Sequence, residues 1–183
     1  IDEEVALTDE QKAQNIIAAI ENLPLDITLA NETTINDIKN QYDSLSDEAK
    51  LLVTNYQKLE EAIYQINQLK TQLTNKKQEA ISELNDYLNL DNYSSVNQNL
   101  ITTYINTMIN QINDAQSFDS IDGLVIEAKH KLDEFLTIEE ELLAYKEESI
   151  EDLEATIDVS LYSEENKQKI HTLLEEAKSL IYN

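Results

Sequence analysis

Apolar residues recur along the chain at steps of three and four, the spacing that lines up one face of an α-helix. Ala13, Ile16, Ile17, Ile20 and Leu23 open the series. Ahead of them, Thr8-Asp9-Glu10-Gln11 has the form of a capping box, in which the Thr hydroxyl and the Gln side chain satisfy free amide donors. Leu23-Pro24 ends this helix, because the residue before Pro avoids the α region. Leu25 to Leu29 predicts a short extended connection with apolar anchors. Ile35, Ile38, Tyr42 and Leu45 mark a second helix, and Ser46-Asp47-Glu48 supplies an N-cap and early negative charge for a third.

From Ser46 the pattern runs on through Leu52, Val53, Tyr56, Leu59, Ile63, Ile66, Leu69, Leu73, Ala80, Ile81, Leu84 and Leu88. No Gly or Pro interrupts residues 46–88. A continuous helix there is ~43 residues and ~65 Å long at 1.5 Å per residue. Thr71 to Lys77 is its most polar stretch, and Thr74-Asn75 is the alternative break point. NLDNYSS then reads as a turn. Leu100, Ile101, Tyr104, Ile105, Met108, Ile109 and Ile112 form the next apolar face. AQSFDS is a further turn with Ser120 as its expected cap, followed by Ile121, Leu124, Val125, Ala128, Leu132 and Phe135. Thr137-Ile138-Glu139-Glu140 is a second capping box, opening a helix to about Ile157. DVSLYS ends it, and the last helix carries Ile170, Leu173, Leu174, Ala177, Leu180 and Ile181.

Shifting the chain by 69 residues aligns two stretches without a gap, KQEAISELNDYLNLDNYSSVNQNLI from Lys77 and KEESIEDLEATIDVSLYSEENKQKI from Lys146. Ile81 falls on Ile150, Leu84 on Leu153, Tyr93-Ser94 on Tyr162-Ser163, Asn97 on Asn166 and Ile101 on Ile170. Further on, Tyr104, Ile105 and Ile112 fall on Leu173, Leu174 and Ile181. A turn that repeats along with its core positions is the mark of a repeat architecture. The expected organisation is therefore a three-helix module at 1–76, a second at 77–136, and a partial third at 137–183 repeating 77–112. The fold class is all-α: tandem antiparallel three-helix bundles joined end to end through shared long helices. The second copy stops after two helices, which reads as a fragment cut from a longer array, monomeric in itself.

Charge narrows the function. The chain has 183 residues, with 13 Lys, no Arg and 37 acids, for a net charge of −24. A surface so acidic argues against nucleic-acid binding, which needs cations along the phosphates. The three modules carry −8, −7 and −9, an even spread that suits a solvated rod better than one acidic docking patch. With 41% hydrophobic residues at regular spacing, the chain reads as folded rather than disordered. No run approaches the ~20 apolar residues of a membrane span. The absence of Cys excludes disulfides, thiol nucleophiles and thiolate zinc sites. One Gly and one Pro do not supply the turns of a β-sandwich. The acidic start IDEEVALTDE lacks a basic, then apolar leader, and a start without Met suits a mature protein or an excised fragment.

The candidate chemistry is sparse. His130 precedes Asp133 and Glu134, and His171 precedes Glu175. Each pairing offers a metal two ligands, short of a built site, and neither is HExxH. Asp91-Asn92 and Asp119 to Asp122 lack the ligand spacing of an EF-hand. Glu139-Glu140-Glu141 and Glu147-Glu148 lie on solvated helix faces, without the contrasting environments that separate an acid from a base. Gly123 sits inside a helical pattern, not a phosphate loop. Tyr42, Tyr56, Tyr87 and Tyr104 fall on or beside the apolar stripes, as core residues whose hydroxyls reach water. Tyr93 and Tyr162 occupy the same turn position in both repeats. Each is read as a turn anchor or, alternatively, as a partner contact at the bundle end. No catalytic, metal or cofactor site is expected, and no cofactor.

Two stretches carry a resemblance. Ile20, Leu23-Pro24 and Ile27-Thr28-Leu29 form an I-x-x-LP-x-x-ITL entry. Tyr42, Asp43, Leu45, Ser46, Glu48, Lys50, Leu52, Val53 and Asn55 form YD-x-LS-x-E-x-K-x-LV-x-N. In these the first module resembles helical modules of large Gram-positive cell-surface proteins. The second module has K-x-x-A-x-x-EL-x-x-Y from Lys77 and AK-x-x-LD from Ala128. It is similar to the helical repeats that accompany such modules, and distantly to albumin-binding GA-type three-helix modules, whose Gly-rich second turn it lacks. The resemblance implies an extracellular, cell-wall-associated location and a non-catalytic spacer and interaction role. A host protein or a glycan is the implied partner. An adhesin module and an accessory region of a secreted glycan-processing enzyme are the alternatives.

Overall fold

A computed structural model describes residues 7–182. The acidic opening residues 1–6 lie outside the described residues, as does Asn183. The protein is all-helical, with no strand among the described residues. Among the described residues eight α-helices follow in order: α1 (Asp9–Glu21), α2 (Glu32–Asp43), α3 (Asp47–Leu51), α4 (Tyr56–Asn85), α5 (Ser95–Asp114), α6 (Phe118–Leu132), α7 (Ile138–Ala155) and α8 (Glu164–Tyr182). Single 3₁₀ turns occupy Leu29–Asn31, Leu90–Asn92 and Val159–Leu161.

The helix starts follow local chemistry. At α1 the Gln11 amide donates to Thr8 Oγ1 at 3.2 Å, and the Thr8 amide donates to Gln11 Oε1 at 2.9 Å. At α3 the Ala49 amide donates to Ser46 Oγ at 3.1 Å. The α7 box closes through Glu140 N–H to Thr137 Oγ1 at 3.2 Å and Thr137 N–H to Glu140 Oε2 at 2.8 Å. These donors, backbone first, hold the Glu140 carboxyl below the usual carboxylate range. A lowered folded value means the box contributes above the unfolded pKa and is lost as pH falls through the folded one. The α7 N-terminus is therefore expected to fray on acidification, and Glu140→Gln to remove that pH dependence. Amide exchange across Ile138–Leu142 between pH 6 and pH 3 checks it.

Three expectations need correction. The helix expected over 46–88 breaks at residues 52–55, not at Thr74-Asn75, which lies inside unbroken α4. After α3 the Leu52 and Val53 amides donate to Ala49 and Lys50 carbonyls three residues back, tightening the chain out of α geometry. This lets Val53 join Ala49 in the core while Leu51 and Leu52 stay exposed. Asn55 meanwhile donates through Nδ2 to the Ile17 carbonyl of α1 at 2.9 Å. The second correction concerns Leu25, which is 92% exposed and anchors nothing, whereas Ile27 and Leu29 are half-buried. The third concerns the cap of α6. Ser117 Oγ accepts from the Ser120 amide at 3.2 Å, so Ser117 caps and Ser120 lies in the first turn.

The chain divides into two compact units. One runs up to Ser82 and includes Ile112–Gly123; the other holds Glu83–Gln111 and everything from Leu124 onward. In the first unit, Ala13, Ile16, Ile20 and Leu23 of the α1 stripe bury against Ile35 and Ile38 of α2, Ala49 and Val53, and Leu59, Ala62 and Ile66 of α4. Buried alanines on α1, the short α3 and α4 take little room in this core. Tyr42 and Tyr56 stack at its edge with ring centroids 4.0 Å apart, and burial raises the Tyr42 phenol pKa. In the second unit, Leu84, Tyr93, Ile101, Ile105 and Met108 are buried, as are Val125, Ala128 and Leu132 of α6. Lys129 Nζ of α6 pairs with Glu83 near the end of α4, and just past the two helix ends the Tyr87 hydroxyl donates to Asp133 Oδ1 at 2.8 Å.

Gly123 is an exposed residue of α6, with nothing within 4 Å of where a Cβ would stand. Its backbone needs no positive φ. Gly123→Ala is expected to stabilise the protein by about 1 kcal/mol, because Gly costs helix-forming entropy that Ala does not. Thermal or urea unfolding measures it.

Candidate functional site

A cleft of about 730 Å³ lies beside the Leu29–Asn31 turn of the first unit. Ile27, Leu29 and Ala30 form one wall, Leu69 and Leu73 of α4 another, and Phe118 at the start of α6 closes an end. Thr28 holds the turn in place: its amide and hydroxyl both donate to Asn31 Oδ1, at 2.8 and 3.1 Å. Lys70 reaches Glu32 at the rim with N···O 2.5 Å. Apolar walls with one neutralised ion pair can hold an apolar side chain or a helix face; they present no pair of groups arranged to exchange a proton. Ile27, Thr28 and Leu29 of the cleft lining belong to the LP-x-x-ITL stretch. Phe118 carried no signal of it, because its part depends on where the 115–117 turn falls.

The two candidate tyrosines sit in turns of the same shape. Asn89 (φ −81°, ψ 104°) and Asp158 (φ −78°, ψ 89°) each accept an amide two residues on through their side-chain oxygens. Tyr93 (φ −117°, ψ 148°) and Tyr162 (φ −115°, ψ 157°) each close the 3₁₀ turn, donating to Leu90 and Val159 carbonyls at 3.0 and 3.3 Å. α5 and α8 begin at Ser95 and Glu164, again 69 residues apart. The surroundings differ: Tyr93 is 7% exposed and Tyr162 47%. Around Tyr93, Gln98 Nε2 donates to both the Leu90 and Tyr93 carbonyls at 3.0 Å. Asn97 Nδ2 donates to the Leu136 carbonyl at 3.0 Å, binding the turn to the segment before α7.

A second matched feature lies at the helix C-termini. Lys77 Nζ donates to the Asn113 carbonyl at 2.7 Å, and Lys146 Nζ donates to the Tyr182 carbonyl at 3.1 Å. Donor and acceptor are both displaced by 69 residues. In the first unit Lys58 does the same for α1, donating to the Glu21 and Leu23 carbonyls at 2.9 and 3.2 Å. Each ammonium meets carbonyls at or just past a helix C-terminus, where the helix leaves its last acceptors without intrahelical donors and its dipole is negative. The repeat placed Lys77 over Lys146, but only the structure supplies their shared acceptor position.

His130 lies exposed on α6 with Nδ1 3.9 Å from Glu134 Oε1, and no group of three or more metal-ligating side chains occurs among the described residues. Glu134 itself pairs with Lys131, which lowers its pKa, and Glu175 is held down in the same way by Lys178. The Tyr87 hydroxyl donates to Asp133 Oδ1, and this bond raises its pKa. Comparisons with protein-family models, with curated proteins and with solved structures find no match to this chain. No helix among the described residues is long and apolar enough to cross a membrane.

Proposed function

We propose that this chain is a non-catalytic spacer and interaction segment of a secreted bacterial surface protein. It would be built as tandem three-helix bundles joined end to end, and would hold other domains away from the cell wall. The observation that carries this reading is the recurrence, 69 residues apart, of one turn together with one lysine-to-carbonyl contact. A chain that repeats a supersecondary unit with its packing contacts extends by adding copies, and such arrays grow in one direction. Acidic charge spread over every module suits a solvated element in a crowded wall. The resemblance of the first module supplies the bacterial surface location.

The apolar cleft at Ile27, Leu29, Leu73 and Phe118 favours one second reading, an adhesin module that takes a host protein there. Small-angle scattering tests the spacer reading. A compact 183-residue globule has a radius of gyration near ~16 Å. The end-to-end arrangement requires a value well above that, and a value at the globular limit would sink it.

A further inference from the structure

The repeat gives the last two helices a counterpart whose environment is complete. In the first copy, Leu84, Ile101, Ile105, Met108 and Ile112 are all buried. Their equivalents, Leu153, Ile170, Leu174, Ala177 and Ile181, are only half-buried, and α7 and α8 contain no buried residue at all. The local backbone is not the cause, since the turn, the start of the helix after it and the lysine contact all recur 69 residues apart. The difference is α6. In the first copy α6 contributes Val125, Ala128 and Leu132 to the buried set of the second unit, and its Lys129 pairs with Glu83. Nothing among the described residues plays that part for α7 and α8, which pack on each other and are cross-tied by Lys178 to Glu154 at 2.6 Å. Leu173 and Leu180 are left 62% and 78% exposed.

We propose that the α7–α8 face is an acceptor for one further amphipathic helix of the α6 kind. That helix would carry apolar residues at the spacing of Ile121, Val125, Ala128 and Leu132, and a lysine at the place of Lys129. The repeat sets Asp152 where Glu83 stands, so the carboxylate that receives such a lysine is already present. Charge separates this occupant from a second copy of the same face. Residues 137–183 hold 4 Lys against 13 acids, and two such hairpins face to face would repel. The α6 segment holds two lysines against three acids and is close to neutral. The inference rests on reading the chain as a repeat array.

The test uses the full chain extended after Asn183 by a second copy of residues 115–136, which keeps the 69-residue register. Hydrogen exchange of α7 and α8 amides is compared with the unextended chain, and with an extension of the same composition whose apolar residues are scrambled. The ordered extension is expected to slow exchange in both helices by about tenfold or more, as burial of a previously open face requires. Leu174→Asp in the extended chain should abolish the gain and leave exchange in α1–α3 unchanged. Equal exchange with and without the extension, or equal protection by the scrambled one, overturns the proposal. So does dimerisation of the unextended chain that Leu174→Asp abolishes, since a second copy then covers the face. Scattering on the unextended chain judges the array reading separately, because the exchange gain is local to α7 and α8.

Discussion

Ile20→Asp is expected to unfold the first unit. Ile20 is fully buried on α1, inside the cluster formed with α2, α3 and the first half of α4. A carboxylate there has no cation within the core to pair with, because every buried residue of that cluster is apolar. Burying an unpaired charge costs several kcal/mol, comparable to the ~5–15 kcal/mol that holds a whole domain. Ile20→Val is the control and should cost only about 1 kcal/mol, since it removes a single methylene. Residue-resolved hydrogen exchange should show α1, α2 and α3 losing protection together in the aspartate variant. Retention of protection in α2 and α3 would contradict the single shared core.

Leu84→Ala and Leu153→Ala should differ widely although the repeat makes them one position. Leu84 is fully buried, and its truncation leaves a cavity costing about 3 kcal/mol. Leu153 is half-buried, and part of its side chain already meets water. Its truncation gives up less transfer energy and opens no closed cavity, so about 1 kcal/mol is expected. Urea unfolding of the two variants measures the gap. Equal losses would mean that the α7–α8 face is as well covered as its counterpart. The comparison is clean because the backbone of the two turns coincides, so what differs is the cover.

Much of this architecture was legible in the sequence because its cues are local. Capping boxes at Thr8 and Thr137 need only residues three apart, and both formed as their spacing required. The apolar stripes of α1, α5 and α6 gave the core residues, since a helix face is set by a period of 3.6. The 69-residue match gave two turns of the same shape, because the Asx-type contact at Asn89 and Asp158 is made within three residues.

What the sequence did not show is what distant segments decide. The break at 52–55 has no Gly or Pro to mark it. It follows from seating Ala49 and Val53 in one core while Asn55 reaches α1, a balance that no periodicity expresses. Leu25 fits the pattern of an anchor and stands in water, since nothing folds over it. The cleft needs Phe118 brought to Ile27 and Leu73, residues far apart in the chain. Above all, Leu84 and Leu153 read alike, and only tertiary structure made one interior and the other open. Helix formation is written within a few turns of chain, whereas burial depends on which other helix lies across the face.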